Sequence, residues 1–442
     1  MLILRNVRPW GMQAQDVAIH EGRITAIGAD LTGGHEEIDG RGDLLLPGLH
    51  DHHLHLAATA ARRCSINLAG LTSESAVVAA IRNATGSILR AVDYDECVAG
   101  LPDAALLDRW EPVRPLRLAD RTGALWALNS HAMALLGTED LPPGAERDEH
   151  GFPTGRFWRE DAWMRAFMPS IPLDFGSLGS ELAAVGLVGL TDATSHNGPA
   201  ESALLRGRLS QRLTLMGNEE LPAGEGYTRG PLKLLIDERD PPMPEVLARR
   251  IAVARTQGRA VAAHCVTEME LALYLAALDL AGGARPGDRV EHGGLVSPAF
   301  VPLLAATKLT VVTNPAFIRT RGERYRAEVP PEHWASLYPA ATLARAGVPL
   351  LGGSDAPYAP TDPWLAMRAA RDRLTEAGHP VGACQRLDSF AALRLYCSGD
   401  IEVGQFADLI ICRGSLAEVL HDLSPESLRL TLIGGRIAFY CD

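Results

Sequence analysis

The fold is constrained most strongly by a regular alternation of short apolar segments with amphipathic segments between residues 44 and 357. Eight of the apolar segments are predicted strands: 44–55, 189–194, 212–218, 232–237, 260–265, 288–294, 309–315 and 348–357. Strands that are apolar throughout are typically buried on both faces, and strands that alternate with helices form parallel sheets. The spacing is regular, because 31 residues separate Lys233 from His264 and 28 separate His264 from His292. The pattern predicts an α/β protein with a (β/α)8 TIM-type barrel, in which one unit takes about 31 residues.

The two ends of the chain are rich in strands of a different kind. Residues 1–45 contain DVAIHEGRITAIG, and residues 400–442 contain two strand segments around a Gly-Gly turn. Alternating polar and apolar residues that flank such turns are typical of hairpins. We therefore predict a small β-sandwich domain built from both chain ends, with the barrel at residues 46–399 between them.

Residues about 57–185 form a stretch far longer than a loop that joins two barrel strands. It contains its own helical segments, among them LNSHAMALLG, in which Asn129 is a candidate helix cap. We predict that this stretch is an insertion over the barrel mouth and that it helps to shape a substrate pocket.

The composition argues against several classes of partner. The 442 residues carry a formal net charge of −12, whereas nucleic-acid binders and proteins of anionic membrane surfaces need basic patches. The seven cysteines include no C-x-x-C pair, which is typical of a reducing compartment. The chain start shows no secretory leader, and no stretch reaches the roughly 18 apolar residues of a membrane span. We expect a cytoplasmic protein that acts on a small molecule, with a homodimer as the commonest oligomer.

The segment PGLHDHHLHL places four histidines and one aspartate in six consecutive positions. Successive side chains of a strand alternate between its two faces, so Asp51, His53 and His55 are expected on one face. Barrel chemistry lies at the C-terminal ends of the strands, which makes His53 and His55 the candidate metal ligands. His50 and His52 are expected on the opposite face, hydrogen-bonded against the helices.

Residues of the same ligand types end other predicted strands. His264 is the next-to-last residue of AVAAHC, His292 is the last residue of RVEH, and Asp355 is the last residue of LLGGSD. The C-terminal ends of barrel strands converge, so these side chains are expected to join the two histidines of strand one in a single metal site. Imidazole and carboxylate ligands suit Zn²⁺, and Mn²⁺, Fe²⁺ or Co²⁺ would also be accepted.

These motifs resemble the amidohydrolase superfamily over essentially the whole chain. The resemblance is carried by P-G-x-x-D-x-H-x-H at residues 47–55, by His264 and His292, by Asp355 in GGSDAP, and by GQFADLIICRG. TGALWALNS and SDAPYAPTDPW are similar to the family-3 branch, which includes the N-substituted formamide deformylases. That branch usually has a histidine after the glycine of the first stretch, where this chain has Ala124.

The resemblance implies a metal-dependent hydrolase that cleaves a non-peptide C–N bond, as in an amide, a formamide or a cyclic amide. It implies one or two ions, with His53, His55 and Asp355 around the first and with His264 and His292 around the second. The implied metal ligands are His53, His55, Lys233, His264, His292 and Asp355.

Four residues receive further roles. Lys233, one βα unit before His264, is the candidate for the carboxylated lysine that bridges two ions, and Glu160 is the reserve carboxylate. Asp355 is expected to accept a proton from the attacking water and to return it to the leaving nitrogen. His292 is expected to help hold the developing oxyanion.

The segment NPAFIRTRGERYR follows strand seven and is expected at the barrel mouth. Guanidinium groups pair bidentately with carboxylates, so its arginines are candidates for binding an acidic substrate, with a solvated charge run as the alternative. The predicted substrate contacts are Arg319, Arg321, Arg324, Tyr325 and Asn314, together with Trp158 of the insertion.

Two other functions use the same fold. A heterocycle deaminase commonly carries a carboxylate shortly after the histidine of strand five, and Glu268 stands four residues after His264. A non-catalytic scaffold of this fold typically loses metal ligands, whereas all the expected ligand positions are filled in this chain. The fold itself does not fix the reaction.

Overall fold

The structure is a computed structural model, and it describes residues 1–136, 140–167, 173–238 and 240–442. Contacts divide the chain into two compact units, which are residues 1–56 with 175–442 and residues 57–174. The first unit holds the barrel and a sheet from both chain ends, and the second holds a separate sheet. Within the described ranges, no helix is both long enough and apolar enough to cross a membrane.

Eight parallel strands, counted one to eight along the chain, form the barrel. Their bounds are Leu49–Leu54, Leu187–Asp192, Arg212–Gly217, Thr228–Leu234, Val261–Cys265, Arg289–His292, Thr310–Thr313 and Leu350–Gly352. Strands eight and one are joined by backbone hydrogen bonds just beyond the end of strand eight. There the N–H of Asp355 donates to the carbonyl of His53 at 2.7 Å, and the N–H of His55 donates to that of Ala356 at 2.8 Å. The predicted (β/α)8 barrel is confirmed.

Helices follow the barrel strands and cover them. Their bounds in the first unit are Phe175–Ala184, Pro199–Leu205, Pro244–Thr256, Glu268–Leu280, Val301–Thr307, Ala316–Thr320, Gly322–Glu328, Ala340–Arg345, Pro363–Asp372 and Ser389–Arg394, with short 3-10 turns at Pro331–Ser336 and Ala383–Gln385. The helix at Leu56–Arg63 begins directly after strand one. A capping box starts the helix after strand five, where the N–H of Thr267 donates to the Glu270 carboxylate at 2.9 Å.

The two faces of the barrel strands differ in composition. The core between strands and helices contains Leu232, Leu234, Ala263 and Cys265, packed with helical residues such as Tyr274. Because side chains alternate along a strand, the residues between them point into the barrel. These inward residues include Lys233, Ala262, His264, Arg289 and Glu291. A small interior cluster of Ala193, Met216 and Ala262 fills part of the same space.

Both ends of the chain contribute to one sheet of eight strands. Its strands are Leu2–Pro9, Gln15–His20, Arg23–Gly28, Glu36–Asp39, Leu44–Pro47, Leu409–Cys412, Leu428–Ile433 and Arg436–Tyr440, and its helical segments are Leu416–Asp422 and Pro425–Ser427. One buried core joins Leu4 and Ile19 from the start of the chain to Ile411 and Leu432 from its end. The prediction that both chain ends build one β-structure is confirmed, and this sheet belongs to the same compact unit as the barrel.

The predicted first strand, residues 44–55, is two strands in the structure. Leu44–Pro47 pairs with the strands at Leu2–Pro9 and Leu409–Cys412 of the terminal sheet, whereas Leu49–Leu54 begins the barrel. Gly48 lies between them, and a Cβ atom at this position would approach the side chain of Val188 to 2.4 Å. The glycine therefore lets the chain pass directly from one sheet to the other.

The second unit contains a six-stranded sheet with helices on both faces. Its strands are Ile66–Asn67, Leu89–Tyr94, Leu116–Asp120, Leu125–Leu128, Ala145–Arg147 and Pro153–Trp158, and its helices are Glu74–Asn83, Ala104–Trp110, Ser130–Ala134 and Asp161–Phe167. Ile81 and Trp110 of the helices pack on Leu89 and Leu118 of the sheet. Asn129 caps its helix by accepting the N–H of Ala132 at 2.9 Å, as predicted.

Candidate metal centre

His53, His55 and Asp355 converge where strands eight and one close the barrel. Oδ1 of Asp355 lies 3.4 Å from Nε2 of His53 and 3.1 Å from Nε2 of His55. Ligand atoms from the three residues lie within 4.8 Å of one another, and they form the one such group among the described residues. Two imidazoles and a carboxylate at this spacing are a donor set for a divalent cation.

The outer nitrogen of each imidazole has its own partner. Nδ1 of His53 donates to the Glu291 carboxylate, and Nδ1 of His55 lies 2.9 Å from the hydroxyl oxygen of Thr194. A partner at Nδ1 orients the ring and leaves Nε2 free to bind a metal. Both Nε2 atoms accordingly face Asp355.

His264 and His292 extend the row of imidazoles. The ring of His292 lies 4.6 Å from that of His53 and 4.5 Å from that of His264, measured between centroids. Strand alternation alone would turn His292 away from Glu291 and out of the barrel, but its left-handed backbone, with φ of 71°, turns its side chain inward. Nδ1 of His292 lies 2.8 Å from Oδ1 of Asn314, which fixes this ring as well.

Lys233 lies in the barrel interior on strand four. Its side chain is only 2% exposed, its Nζ lies 4.0 Å from the Glu291 carboxylate, and it has no hydrogen-bond partner among the residues described. Burial lowers the pKa of this amine, and the attraction of Glu291 only partly offsets the effect. A buried amine without a hydrogen bond is unusual in a folded protein, which makes this position a candidate for modification or ligand binding.

Glu291 was not selected from the sequence, although it is fully buried beside the predicted ligands. Burial raises the pKa of its carboxyl, but Arg289, Lys233 and His53 outweigh this effect and hold the pKa well below its usual value. The sequence does carry a signal for it. Arg289 and Glu291 are charged residues at alternate positions of a predicted strand, so they share one face.

The prediction that His50 and His52 face the helices is wrong for both residues. Its Nε2 lies 2.8 Å from the hydroxyl oxygen of Thr191, which pairs with Thr214 on the same barrel face as the interior residue Met216. The His50 and His52 rings stack with centroids 4.2 Å apart. Below the metal centre the two histidines therefore form an interior layer of their own.

The reason for this difference is an irregularity in strand one. Asp51 pairs with Leu190 and Leu54 pairs with Asp192, so two residues of strand one stand opposite a single residue of strand two. Such a bulge breaks the alternation of side chains, and consecutive residues can then point to the same side. Under the bulge a cavity of about 210 Å³ is lined by His50, among other residues.

The residues predicted to bind substrate lie in three kinds of environment. Asn314 is fully buried and uses both ends of its amide within the protein, on His292 and on the carbonyl of Gly353 at 2.9 Å. Arg319 and Arg324 are exposed, and Arg324 pairs with Glu328 at 2.8 Å. These three side chains therefore do not form one shared clamp for a substrate.

Arg321 and Tyr325 are partly buried on the segment after strand seven. The Arg321 guanidinium lies 3.8 Å from the centroid of the Phe317 ring, and it donates to the carbonyl of Tyr358 at 3.4 Å. The hydroxyl of Tyr325 lies 3.3 Å from that of Tyr338. Since the ring of Tyr358 lies 6.1 Å from that of His55, Arg321 stands near the metal centre.

Two residues of the second unit had predicted roles. Trp158 is partly exposed, and its indole N–H donates to Glu146 at 3.0 Å. Glu160, the reserve metal carboxylate, accepts the N–H of Gly144 at 2.8 Å. Both side chains thus have local partners within that unit.

Two residues at the end of strand five and just after it bear on the alternative functions. The Glu268 carboxylate, which a deaminase would use, accepts the N–H of Ser297 at 2.8 Å. Cys265 lies in the core between strand and helix, where burial raises the pKa of its thiol well above the usual value. A thiol in this position is not an activated nucleophile.

A parallel barrel with this donor set at its closure defines a metal-dependent hydrolase of the TIM-barrel type. Residues 36–439 match the family model Amidohydro_3, described as the amidohydrolase family, and the chain belongs to that family. The resemblance inferred from the motifs is thereby confirmed.

Similar proteins agree with this assignment. YtcJ of Bacillus subtilis (strain 168), which is named as an amidohydrolase, is 23% identical over 484 aligned residues that cover 91% of this chain and 90% of YtcJ. An uncharacterised metal-dependent hydrolase of Pyrococcus horikoshii OT3 has the same fold, with a TM-score of 0.76 and 20% identity over 94% of this chain and 98% of that one. N-isopropylammelide isopropylaminohydrolase of Burkholderia multivorans ATCC 17616 gives a TM-score of 0.53 at 17% identity, over 99% and 97% of the two chains.

Proposed function

We propose that this metal-dependent hydrolase cleaves a non-peptide C–N bond of a small molecule, namely an amide, a formamide or a cyclic amide. One observation carries the proposal: the Asp355 carboxylate faces the Nε2 atoms of both His53 and His55. This arrangement brings a metal-binding face and a proton acceptor to the same point. Membership of the amidohydrolase family supports the choice of bond.

The proposed ion is Zn²⁺, although Mn²⁺, Fe²⁺ and Co²⁺ accept the same types of ligand. His53, His55 and Asp355 would hold one ion, and His264 and His292 would serve a second. A bound ion supplies Lewis acidity toward a carbonyl oxygen and lowers the pKa of a water molecule. The remaining steps fall to side chains of the protein.

Asp355 is the proposed proton carrier between the attacking water and the leaving nitrogen. Burial raises the pKa of its carboxyl, but hydrogen bonds from His53 and His55 outweigh this effect and hold the pKa well below its usual value. The group is therefore ionised near neutral pH and can accept a proton. An amide nitrogen leaves readily only once it is protonated, so a proton carrier at this point suits a C–N bond. His292 is the proposed neighbour of the developing oxyanion.

The surroundings of Arg321 favour a substrate that carries an acidic group. It is partly buried near the metal centre, and no carboxylate pairs with it in the part of the chain that the structure describes. Guanidinium groups without a protein carboxylate are suited to bind one from a ligand. Arg324 provides a matched control, because it is exposed and already paired with Glu328.

The function is tested with paired substrates, such as N-formylalanine and N-formylethylamine, which lacks the carboxylate. We expect release of an amine and a carboxylic acid, detected by mass spectrometry. Arg321→Ala should raise KM about tenfold for the acid, equivalent to about 1.4 kcal/mol, and less than about twofold for the neutral substrate. Arg324→Ala should change neither value.

The outcomes separate the proposals. Equal effects of Arg321→Ala on both substrates would refute the carboxylate clamp. Ammonia release from a heterocycle with its ring intact would instead favour a deaminase, and inactivity on amides, formamides and cyclic amides alike would refute the proposed bond. A small-molecule substrate and a homodimer stay predictions.

A further inference from the structure

Strand six reaches across the barrel to strand one through two charged side chains. Arg289 donates to Oε1 of Glu291 through Nε at 2.7 Å and to Oε2 through Nη2 at 3.1 Å. The same Nη2 also donates to the carbonyl of His52 at 2.7 Å. Glu291 in turn accepts from Nδ1 of His53. The pair thus contacts both the ring of His53 and the backbone directly before it.

These contacts act on the geometry of a metal ligand. A neutral imidazole that donates from Nδ1 has its lone pair on Nε2, which is the atom that faces Asp355. The bidentate guanidinium prevents the carboxylate from rotating, so the direction of the His53 ring is set as well. The Arg289 contact with the His52 carbonyl holds the strand at its bulge, where regular pairing is interrupted.

We propose that Glu291 and Arg289 are a positioning pair that sets the metal affinity of the centre by fixing the ring and the backbone of His53. Neither residue belongs to the group His53, His55 and Asp355 whose ligand atoms converge. The inference rests on the metal centre of the proposed function but does not depend on the bond that is cleaved. Carboxylate partners of metal-bound histidines commonly change metal affinity by about 10- to 100-fold.

Asp288 offers a matched control on the same segment of chain. It is also a buried acid with an arginine partner, since its Oδ2 accepts from Arg255 at 3.1 Å and its Oδ1 accepts the N–H of Val261 at 3.0 Å. It directly precedes strand six and contacts none of the predicted ligands in the interactions described. Asp288→Asn therefore reports the cost of losing a buried charge without the effect on His53.

The experiment measures Zn²⁺ affinity of the full chain, stripped of metal by a chelator, through competition with a chromophoric chelator. We expect Glu291→Gln to raise the Kd for Zn²⁺ about 10- to 100-fold. Asp288→Asn should raise it less than about threefold, even where both variants lose similar stability to urea. Arg289→Lys, which keeps the charge but loses the fork, should give an intermediate Kd.

Each outcome decides one point. A Kd for Glu291→Gln within about threefold of the wild type would overturn the inference, as would equal losses in Glu291→Gln and Asp288→Asn. Glu291→Asp serves where Glu291→Gln does not fold, because it keeps the charge but shortens the reach, and it should also weaken binding at least about tenfold. Failure of the wild type to bind Zn²⁺ would instead contradict the metal centre itself.

Discussion

Strand one carries two pairs of histidines whose positions in the chain are almost the same but whose surroundings differ. The upper pair, His53 and His55, faces the Asp355 carboxylate at the end of the barrel. The lower pair, His50 and His52, stacks ring on ring beneath it, and His50 has a threonine hydroxyl as its partner. Residue type is the same in both pairs, so their surroundings decide their chemistry.

His50 and His53 differ in the charged groups that act on them. Burial, together with the Arg289 guanidinium, lowers the pKa of His50 to about 3. For His53, burial and Lys233 lower the pKa, but Glu291 and Asp355 outweigh them and leave it raised. An environment that stabilises positive charge on an imidazole also suits a bound cation. The comparison shows that convergent carboxylates, not the number of histidines, distinguish a metal site from interior packing.

The largest difference in kcat/KM is expected between substitutions of Asp355, beside the upper pair, and of Asp408, beside the cavity that His50 lines. Asp355→Asn removes the proposed ligand and proton acceptor, and it should lower kcat/KM for an amide substrate roughly 10³-fold. Asp408→Asn changes an acid beside the lower cavity, where Asp408 pairs with Arg212, and it should lower kcat/KM less than about threefold. Steady-state kinetics on folded variants checks both values, and equal losses would remove the distinction between the layers.

A stability effect is expected where the lower pair packs. A Cβ atom at position 189 would lie 2.4 Å from Nδ1 of His50, so Gly189→Ala should destabilise the protein by about 1–3 kcal/mol. In a His50→Ala background the clash is absent, and the same substitution should cost less than about 1 kcal/mol. Urea unfolding of the four proteins measures this coupling. Identical costs in both backgrounds would show that the His50 ring does not face strand two.

The smallest effect concerns the number of ions in the upper layer. We propose that Lys233 is carboxylated, because burial lowers the pKa of its amine and so favours the neutral form that reacts with carbon dioxide. Lys233→Ala should then reduce the metal content from about two ions per chain to about one. Isotope-labelled bicarbonate should give a carbamate signal in the NMR spectrum of the wild type only. About one ion in both proteins would make Lys233 a structural residue.

Much of the fold follows from patterns that are local in the chain. Apolar strands alternating with helices predict the barrel, because each βα unit is specified by its own residues. His53, His55 and Asp355 could be selected because each stands at the end of a predicted strand. The assignment of residues 44–55 to one strand was wrong because Gly48 lets the chain change sheets at a position where the apolar pattern is continuous.

The remaining features depend on pairing between distant strands. The placement of His50 follows from a bulge, and a bulge is fixed by the register with strand two, which sequence alternation does not contain. The inward turn of His292 follows from a left-handed backbone at a residue other than glycine. Glu291 was visible as a charged residue beside the predicted ligand His292, but its contact with His53 joins residues that are 238 positions apart.

The central claim is that the upper histidines, and not the lower ones, hold the metal. Elemental analysis of metal per chain tests it on the wild type, on His53→Ala/His55→Ala and on His50→Ala/His52→Ala, all purified in the same way. The lower-pair variant should retain the metal content of the wild type, and the upper-pair variant should hold about one ion per chain less. An unchanged metal content in the upper-pair variant, or an equal loss from the lower-pair variant, would contradict the account.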